Sequence, residues 1–400
     1  MTTKRQIDQF ESGMLNFPTA LIVEYQGRLN KDILVRAFEL LCFRYPVLGS
    51  RVERASGNIF IAAVPDLIPD VVYVSGDIWD CVREIGERWR VADSLAKLVI
   101  AEKQDGGHVA LYTDHAIADG TAKQAFLDEL WEIYAALVCD LDIDTDSGPS
   151  LPESPIDVLK AHGVLDGSVA ISSNTHAEHS RFPAAHHYLR FTIDETSRIR
   201  ERARSAGTSV HALVCGAVLL AQRNQLDGGN EPIVMECASP VDLRARLDPP
   251  VPAAATTNMA YPHACLLPVT GDAGSVASLA TSVKSDLERS IEQGSILSSF
   301  AESFTVNNFS EPPDVCEKQD LTKLIVSNLG LVKDFTAASD LKIVDFQMWT
   351  HNWHGTPGVV YVVYTYREAC RIQFVYKDDL FQVGQIDAIA EFVRGILLSS

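Results

Sequence analysis

Apolar positions along the chain switch between two periods. Residues 19–25 form a short, nearly continuous apolar run, the mark of a buried strand. Over 30–44, Ile33, Leu34, Ala37, Phe38 and Leu41 recur at the spacing of one helix face. Asn30 stands where an N-cap belongs, and Pro46 ends the pattern. Residues 58–64 and 98–102 read as strands, and 108–114 alternates, with Val109, Leu111 and Thr113 on one face. A long helix is predicted over 121–138, with Phe126, Leu127, Leu130, Trp131 and Tyr134 at core spacing. Farther on the same grammar returns: a strand at 187–193, a charged helix at 195–206, a mostly apolar helix at 209–222 and a buried strand at 233–237. A helix follows over 276–293, with Ser275 as N-cap and Gly294 just past its end. Strands are predicted at 323–328, 359–366 and 371–376, the last two a hairpin about Glu368 and Ala369, and a final helix at 385–397.

Two stretches lack either period. Residues 140–156 are acidic and rich in Pro and Ser; residues 171–187 are polar and rich in His. A short helical stretch, 158–165, lies between them. This predicts an N-terminal domain over 1–150, a linker over 151–185 and a C-terminal domain over 186–400. Strands and helices mix in both halves, so the expected fold class is α/β: two open sandwiches side by side. A length of 400 residues suits two domains and shows no short solenoid repeat.

Composition narrows the function by exclusion. Hydrophobic residues make up 46% and charged residues 22%, enough for large cores. Lys and Arg number 34 against 53 Asp and Glu, a formal net charge of −19. A chain this acidic is a poor ligand for nucleic acid or for an anionic membrane surface. The longest run of small or apolar residues, 212–221, is far too short to span a bilayer, and the N-terminus has no apolar signal core. Eight cysteines are scattered without a CxxC pair. A cytoplasmic protein with reduced thiols is expected.

Several common chemistries lack their signatures. No Walker A sequence, strand-following GxGxxG, GxSxG elbow or HExxH helix occurs. His176, His179, His186 and His187 stand in the polar stretch 171–187 without an accompanying Cys, and no metal site is expected of them. One constellation remains. The predicted strand 108–114 runs into His115-Ala-Ile-Ala-Asp119-Gly120, and then into a helix. An imidazole at a strand-to-helix junction projects from a rigid frame, and its ordinary pKa suits it to be a general base for a hydroxyl or amine. Asp119 is placed to lock the loop rather than to touch substrate, and Gly120 frees the backbone to turn. By itself the pattern fixes only three positions.

Its context adds weight. Pro240-Val-Asp-Leu-Arg244 comes later, then Thr257-Asn258, then Ser327-Asn328-Leu329-Gly330. In this order, with HxxxDG before them, these segments resemble the superfamily of chloramphenicol acetyltransferase, peptide-synthetase condensation domains and plant acyltransferases. The nearest resemblance is to its polyketide-associated acyltransferases, of the phthiocerol/phthiodiolone dimycocerosyl transferase type. The phrases LNKDILVRAFELLCFRYPVLGSRV and TSVHALVCGAVLLAQRNQL are also similar to that group, so the likeness spans about residues 15–395. It implies a pseudo-dimer of two acetyltransferase-like domains with a tunnel between them. His115 would stand mid-tunnel as general base, with a thioester donor on one side and an alcohol acceptor on the other. Direct transfer without an acyl-enzyme is implied, in keeping with the absence of a Ser or Cys nucleophile motif.

The same resemblance implies no permanently bound cofactor. The donor would be acyl-CoA or an acyl group on the phosphopantetheine of a carrier protein, with a polyketide synthase as possible partner, and the enzyme a monomer. The expected reaction is ester formation on a secondary metabolite or lipid-like alcohol. Amide formation on a carrier-bound chain and a non-catalytic docking role are the alternatives. Asp119 is expected to pair with Arg244, a planar fork suited to a carboxylate, with Arg246 as rival partner. Asn258, Ser327 and Asn328 are supporting candidates, for an oxyanion or for holding loops. Two departures stand out: Asp114 occupies the place of a second His in many relatives, where it could raise the base's pKa if it faced His115, and the plant-type DFGWG motif is absent. Arg198, Arg200, Arg202 and Arg204 read either as a phosphate-docking run or as a solvated helix face with partners such as Glu201. Trp349, His351, Trp353 and His354 read either as an acceptor-channel lining or as a packed loop.

Overall fold

A computed structural model describes residues 3–64, 70–143, 150–172, 184–227, 229, 231–272, 275–305, 319–336, 340–350 and 358–399. The first half contains β1 (Lys4–Gln6), α1 (Gln9–Gly13), β2 (Pro18–Gly27), α2 (Lys31–Arg44), β3 (Ser50–Ala55), β4 (Asn58–Ala63), β5 (Val71–Val74), α3 (Ile78–Glu87), β6 (Ala96–Lys103), β7 (Gly106–Asp114) and α4 (Gly120–Val138). Asn30 does cap α2, its Oδ1 accepting from the Ile33 amide at 3.2 Å. The short elements β1, α1, β3, β5 and α3 were invisible to periodicity, because strands and helices of this length show too few repeats.

The second half contains α5 (Pro155–Ala161), β8 (Ala185–Arg190), α6 (Ile193–Ser205), α7 (Val210–Arg223), β9 (Ile233–Asp242), β10 (Ala260–Val269), α8 (Val276–Glu292), α9 (Ser295–Ser303), β11 (Lys323–Val332), β12 (Leu341–Thr350), β13 (Val360–Tyr366), β14 (Ala369–Tyr376) and α10 (Gln385–Leu398). Helix α7 is buried from Ala212 through Arg223, as its apolar composition demands. The hairpin β13–β14 turns at Arg367 and Glu368, both at positive φ. No single helix among the described residues is long and apolar enough to cross a membrane.

The strands form two large sheets and a small one of order β1-β4-β3. One large sheet has the order β12-β2-β7-β6-β5; the other runs β10-β9-β11-β13-β14-β8. The sheets do not divide at residue 186. Strand β12 leaves the C-terminal half and pairs antiparallel with β2, Leu341 opposite Gly27 and Thr350 opposite Thr19. The reading of Trp349 as part of a loop is therefore corrected: it lies in β12, opposite Ala20. Its neighbours His351, Trp353 and His354 fall outside the described residues.

The predicted linker is also more than a tether. Ser154 caps α5 and Pro155 starts it, and Ile156, Val158 and Leu159 are buried against Phe10, Leu243, Met259 and Phe300. Of the histidines in the stretch 171–187, His186 and His187 belong to β8, while His176 and His179 are outside the described residues. In the arginine run Arg198 and Arg204 are exposed on the helix face, and two of the four find backbone partners: Arg198 donates to the Leu398 carbonyl at 2.7 Å, and Arg202 to the carbonyls of Ile396 and Ser399. These cations close the C-terminal end of α10, where the helix dipole favours them.

Candidate functional site

Strand β7 is the central strand of its sheet and is buried along nearly all its length. It delivers His115 to its C-terminal end, and the loop 116–119 that follows is buried. The His115 amide donates to the Phe17 carbonyl at 2.9 Å, and the Phe17 ring lies 5.1 Å from the imidazole. Asp119 is the N-cap of α4: its Oδ1 accepts from the Ala122 amide at 3.0 Å. The loop holding His115 is thus clamped between a strand end and a helix start.

The second oxygen of Asp119 faces the other half of the chain. Oδ2 accepts from Arg244 Nη1 at 2.6 Å and from the Met259 amide at 2.9 Å. Arg244 is 3% exposed and Asp119 1%, so this is a buried charge pair. Arg244 also donates to the Thr257 carbonyl at 2.6 Å and to Asp242 Oδ1 at 3.1 Å. Arg246, the rival partner, is exposed. Strand β9 extends through Pro240 to Asp242, and 244–246 is a single turn of 3-10 helix rather than an extended segment. In that turn two residues' separation no longer places side chains on one side.

Asn258 sits at 1% exposure beside the imidazole. Its Oδ1 accepts from the Ala260 amide at 3.1 Å, which fixes the amide group's orientation. Its Nδ2 then lies 3.0 Å from His115 Nδ1 and 3.3 Å from the His115 carbonyl oxygen. Next to it, Thr257 Oγ1 donates to Glu11 Oε1 at 2.6 Å, and Glu11 is gripped by Arg5 at 2.5 and 2.8 Å. A second buried ion pair thereby supports the segment that carries Asn258. Asn258→Ala should lower turnover roughly five- to tenfold, about the value of one hydrogen bond. Steady-state kinetics on a donor thioester would show it as a fall in kcat at little-changed KM.

Gly120 begins α4. A Cβ there would come within 2.6 Å of Leu329 Cδ2, so its small size lets β11 close on the helix start. The chain presents Leu329 through a bulge: the β11–β13 register shifts between Asn328 and Gly330, and Gly330 has φ +71°. Asn328 Oδ1 accepts from the Gly330 amide at 2.9 Å, which secures the bulge. Among the described residues no hydrogen bond joins Ser327 or Asn328 to His115. The Trp349 ring lies tilted against His186 at 3.9 Å between ring centroids, and stands 5.9 Å from Trp79.

Burial and a neighbouring cation set the electrostatics. The imidazole of His115 is pushed down to about 3, first by burial and then by the charge of Lys123; the carbonyls of His115 and Ala118 oppose the shift. Lys123 is itself pushed down to about 7 by burial, against the pull of Asp114 and Asp119. Asp114 takes no part in the shift of His115. Strand alternation turns its buried carboxylate away, to accept from Trp89 Nε1 at 2.9 Å and the Ala116 amide at 3.1 Å. Lys123 was not picked out from the sequence, although it stands four residues before Leu127 on the apolar face of its helix. Glu11 and Arg5 gave no local signal, being far from the motif in sequence. Among the described residues no group of three or more His, Cys, Asp or Glu could hold a metal ion.

The chain is similar to known proteins in both sequence and fold. Residues 180–375 match the sequence profile described as phthiocerol/phthiodiolone dimycocerosyl transferase C-terminus. The phthiocerol/phthiodiolone dimycocerosyl transferase of Mycobacterium leprae is 28% identical over 303 residues, covering 69% of this chain and 70% of the relative. The protein of the same name from Mycobacterium ulcerans is 24% identical over 351 residues, 83% and 82% of the two chains. Among solved structures, polyketide synthase associated protein 5 of Mycobacterium tuberculosis superposes with a TM-score of 0.79 at 20% identity, covering 100% of this chain and 98% of its own. A trichothecene 15-O-acetyltransferase from Fusarium sporotrichioides gives 0.71 at 12%, covering 98% and 95%. The first condensation domain of the calcium-dependent antibiotic synthetase gives 0.68 at 14%, covering 96% and 92%. At these identities the structural likeness is one of fold, and the fold is the α/β acetyltransferase type.

Proposed function

We propose that the chain is a polyketide-associated acyltransferase of the phthiocerol/phthiodiolone dimycocerosyl transferase type, which moves an acyl group from a thioester to a hydroxyl of a secondary metabolite or lipid-like alcohol. The observation that carries this reading is His115, a half-buried imidazole just past a strand end, pushed toward its neutral form by desolvation, with its loop fixed from both halves of the chain. The donor is acyl-CoA or an acyl-phosphopantetheine on a carrier protein, and no resident cofactor takes part.

His115 acts as base through Nε2. That role needs the proton on Nδ1, so the Asn258 Nδ2 at 3.0 Å cannot donate to that atom. Asn258 then donates to the His115 carbonyl and keeps the ring's back edge in place. Nε2 takes the acceptor's hydroxyl proton as the oxygen attacks the thioester carbonyl. The tetrahedral oxyanion collapses and expels the thiolate, which recovers the proton from the imidazolium. Ester, free thiol and neutral enzyme result, with no acyl group left on the protein.

Direct transfer has its own test. Intact-mass analysis after incubation with an acyl-CoA alone should show unmodified protein, and a thioester-plus-alcohol mixture should yield ester. A stoichiometric, hydroxylamine-sensitive adduct would overturn the direct route. Cys215 and Ser239, the thiol and hydroxyl nearest His211, are the residues to check first: His211 Nε2 lies 2.9 Å from Ser239 Oγ and 3.5 Å from Cys215 Sγ.

A further inference from the structure

The peptide that carries Asn258 has no regular structure to hold it. Residues 257–259 lie between an isolated bridge at Thr256 and the start of β10, outside helix and strand. Its backbone groups and side chains must find other partners. Two anchors belong to the Asp119–Arg244 pair: Arg244 donates to the Thr257 carbonyl at 2.6 Å, and the Met259 amide donates to Asp119 at 2.9 Å. The third comes from the N-terminal end of the chain. Thr257 Oγ1 donates to Glu11 Oε1 at 2.6 Å, across 246 positions of sequence. Glu11 is fully buried. Arg5 Nη2 and Nη1 donate to its two oxygens at 2.5 and 2.8 Å, and the Asp8 amide adds a bond at 3.1 Å. The bonds from Arg5 and Asp8 stay within the N-terminal segment; the one that leaves it ends on Thr257. Arg5 in turn donates to the Pro152 carbonyl at 2.7 Å. An ion pair sealed this far from water is weak ground for stability, whereas its fork geometry is well suited to placing a partner.

We propose that Glu11 is a positioning residue for the site: through Thr257 it holds the Asn258 amide in place behind the His115 imidazole. The proposal rests on the reading of His115 as the base. The path is short and made of direct contacts. Glu11 takes the Thr257 hydroxyl, Asn258 is the next residue, and its Nδ2 stands 3.0 Å from His115 Nδ1 and 3.3 Å from the His115 carbonyl oxygen. A carboxylate suits the role because it only accepts: forked by Arg5, it still has a lone pair for one hydroxyl. With Thr257 released, the peptide before Asn258 is free to shift, the amide leaves the back edge of the ring, and Nε2 loses its aim at the acceptor hydroxyl. Misplacement of a reacting group costs rate more than binding. Because the path runs through Asn258, removing Asn258 should leave Glu11 nothing to contribute to the rate.

Two readouts test this, one on the ring and one on the rate. Thr257→Val removes the hydroxyl and leaves the Arg5–Glu11 pair intact. In histidine-labelled protein, with His115 assigned by its loss in His115→Gln, the ring-nitrogen NMR signals of His115 should move in Thr257→Val as they do in Asn258→Ala. Thr257→Ser keeps the hydroxyl and should keep the wild-type signals. Arg5→Met with Glu11→Leu removes both charges together and should move the signals as Thr257→Val does; if that protein does not fold, Thr257→Val decides alone. Turnover of an acyl-CoA with a long-chain primary alcohol should fall roughly five- to tenfold in Thr257→Val at little-changed KM, about the value of one hydrogen bond. It should fall no further when Thr257→Val is added to Asn258→Ala. Unchanged ring signals in Thr257→Val would overturn the proposal. So would signals that move in Thr257→Val but not in a folded Arg5 and Glu11 double variant, or a full additive loss in the Asn258→Ala background. The base reading fails separately. If His115→Gln keeps wild-type turnover while the ring signals move in Thr257→Val, the placement by Glu11 stands and His115 is not the base.

Discussion

His115→Ala should lose about 10²–10⁴-fold in turnover while the protein remains folded, the usual range for removal of a general base. The structure explains why activity and fold separate here. The ring of His115 contacts the Asn258 amide and the Phe17 ring, whereas the backbone bond to Phe17 and the Asp119 cap hold the loop without the imidazole. The loss should fall on kcat, since the base acts in the transition state rather than in ground-state binding. Acid sensitivity gives a second signature. The folded pKa, about 3, lies below the ordinary value near 6.5, so the unfolded chain binds a proton that the folded chain refuses. That contribution to stability is intact above about pH 6.5 and is lost as pH falls toward 3. His115→Ala removes it, so the variant should melt no lower than the wild type near pH 5. Thermal melts at pH 5 and 7.5, read beside the rates, check both halves. A folded variant with near wild-type turnover would remove His115 from the mechanism.

What the sequence carried was local and periodic. The cap at Asn30, the helix behind Gly120 and the strand leading to His115 each rest on a few adjacent residues, and such patterns are legible one segment at a time. The order of the motifs carried the fold through resemblance, not through physics. Three things stayed hidden. Strand β12 reads as a strand only when β2 is seen beside it, because its partner lies more than three hundred residues away. The bulge at Asn328 and Gly330 seats Leu329 on Gly120, a loop-holding part for the SNLG phrase that only the packed chain displays. Lys123 looked like one more helix lysine, since burial is a property of the packed chain and not of the word HAIADGTAK.

Asp119→Asn should destabilise the protein by about 3 kcal/mol, near the lower end of the cost of breaking a buried ion pair. Two features set that value. The Asn side chain can still accept from the Ala122 amide, so the cap of α4 survives; Asp119→Ala should cost about 1 kcal/mol more by losing it. Arg244 keeps partial company after the change, from the half-exposed Asp242 at 3.1 Å and the Thr257 carbonyl at 2.6 Å, so its charge is not wholly stranded. Removing the cation instead is the milder change. In Arg244→Met the Asp119 carboxylate retains two amide donors, from Ala122 and Met259. The pair joins the turn after β9 to the loop after β7, and Met259 follows Asn258, so slack in it should reach the imidazole. Asp119→Asn should therefore lower the melting temperature and turnover together, in contrast to His115→Ala. A double-mutant cycle with Arg244→Met separates the pair from its surroundings: the double variant should be less destabilised than the sum of the two, because each single change leaves the other charge buried. Strict additivity, or an Asp119→Asn protein melting like the wild type, would mean that the contact is a solvated one of about 0–1 kcal/mol. In that event the two halves of the site would have to be held by Thr257 on Glu11 and Leu329 on Gly120.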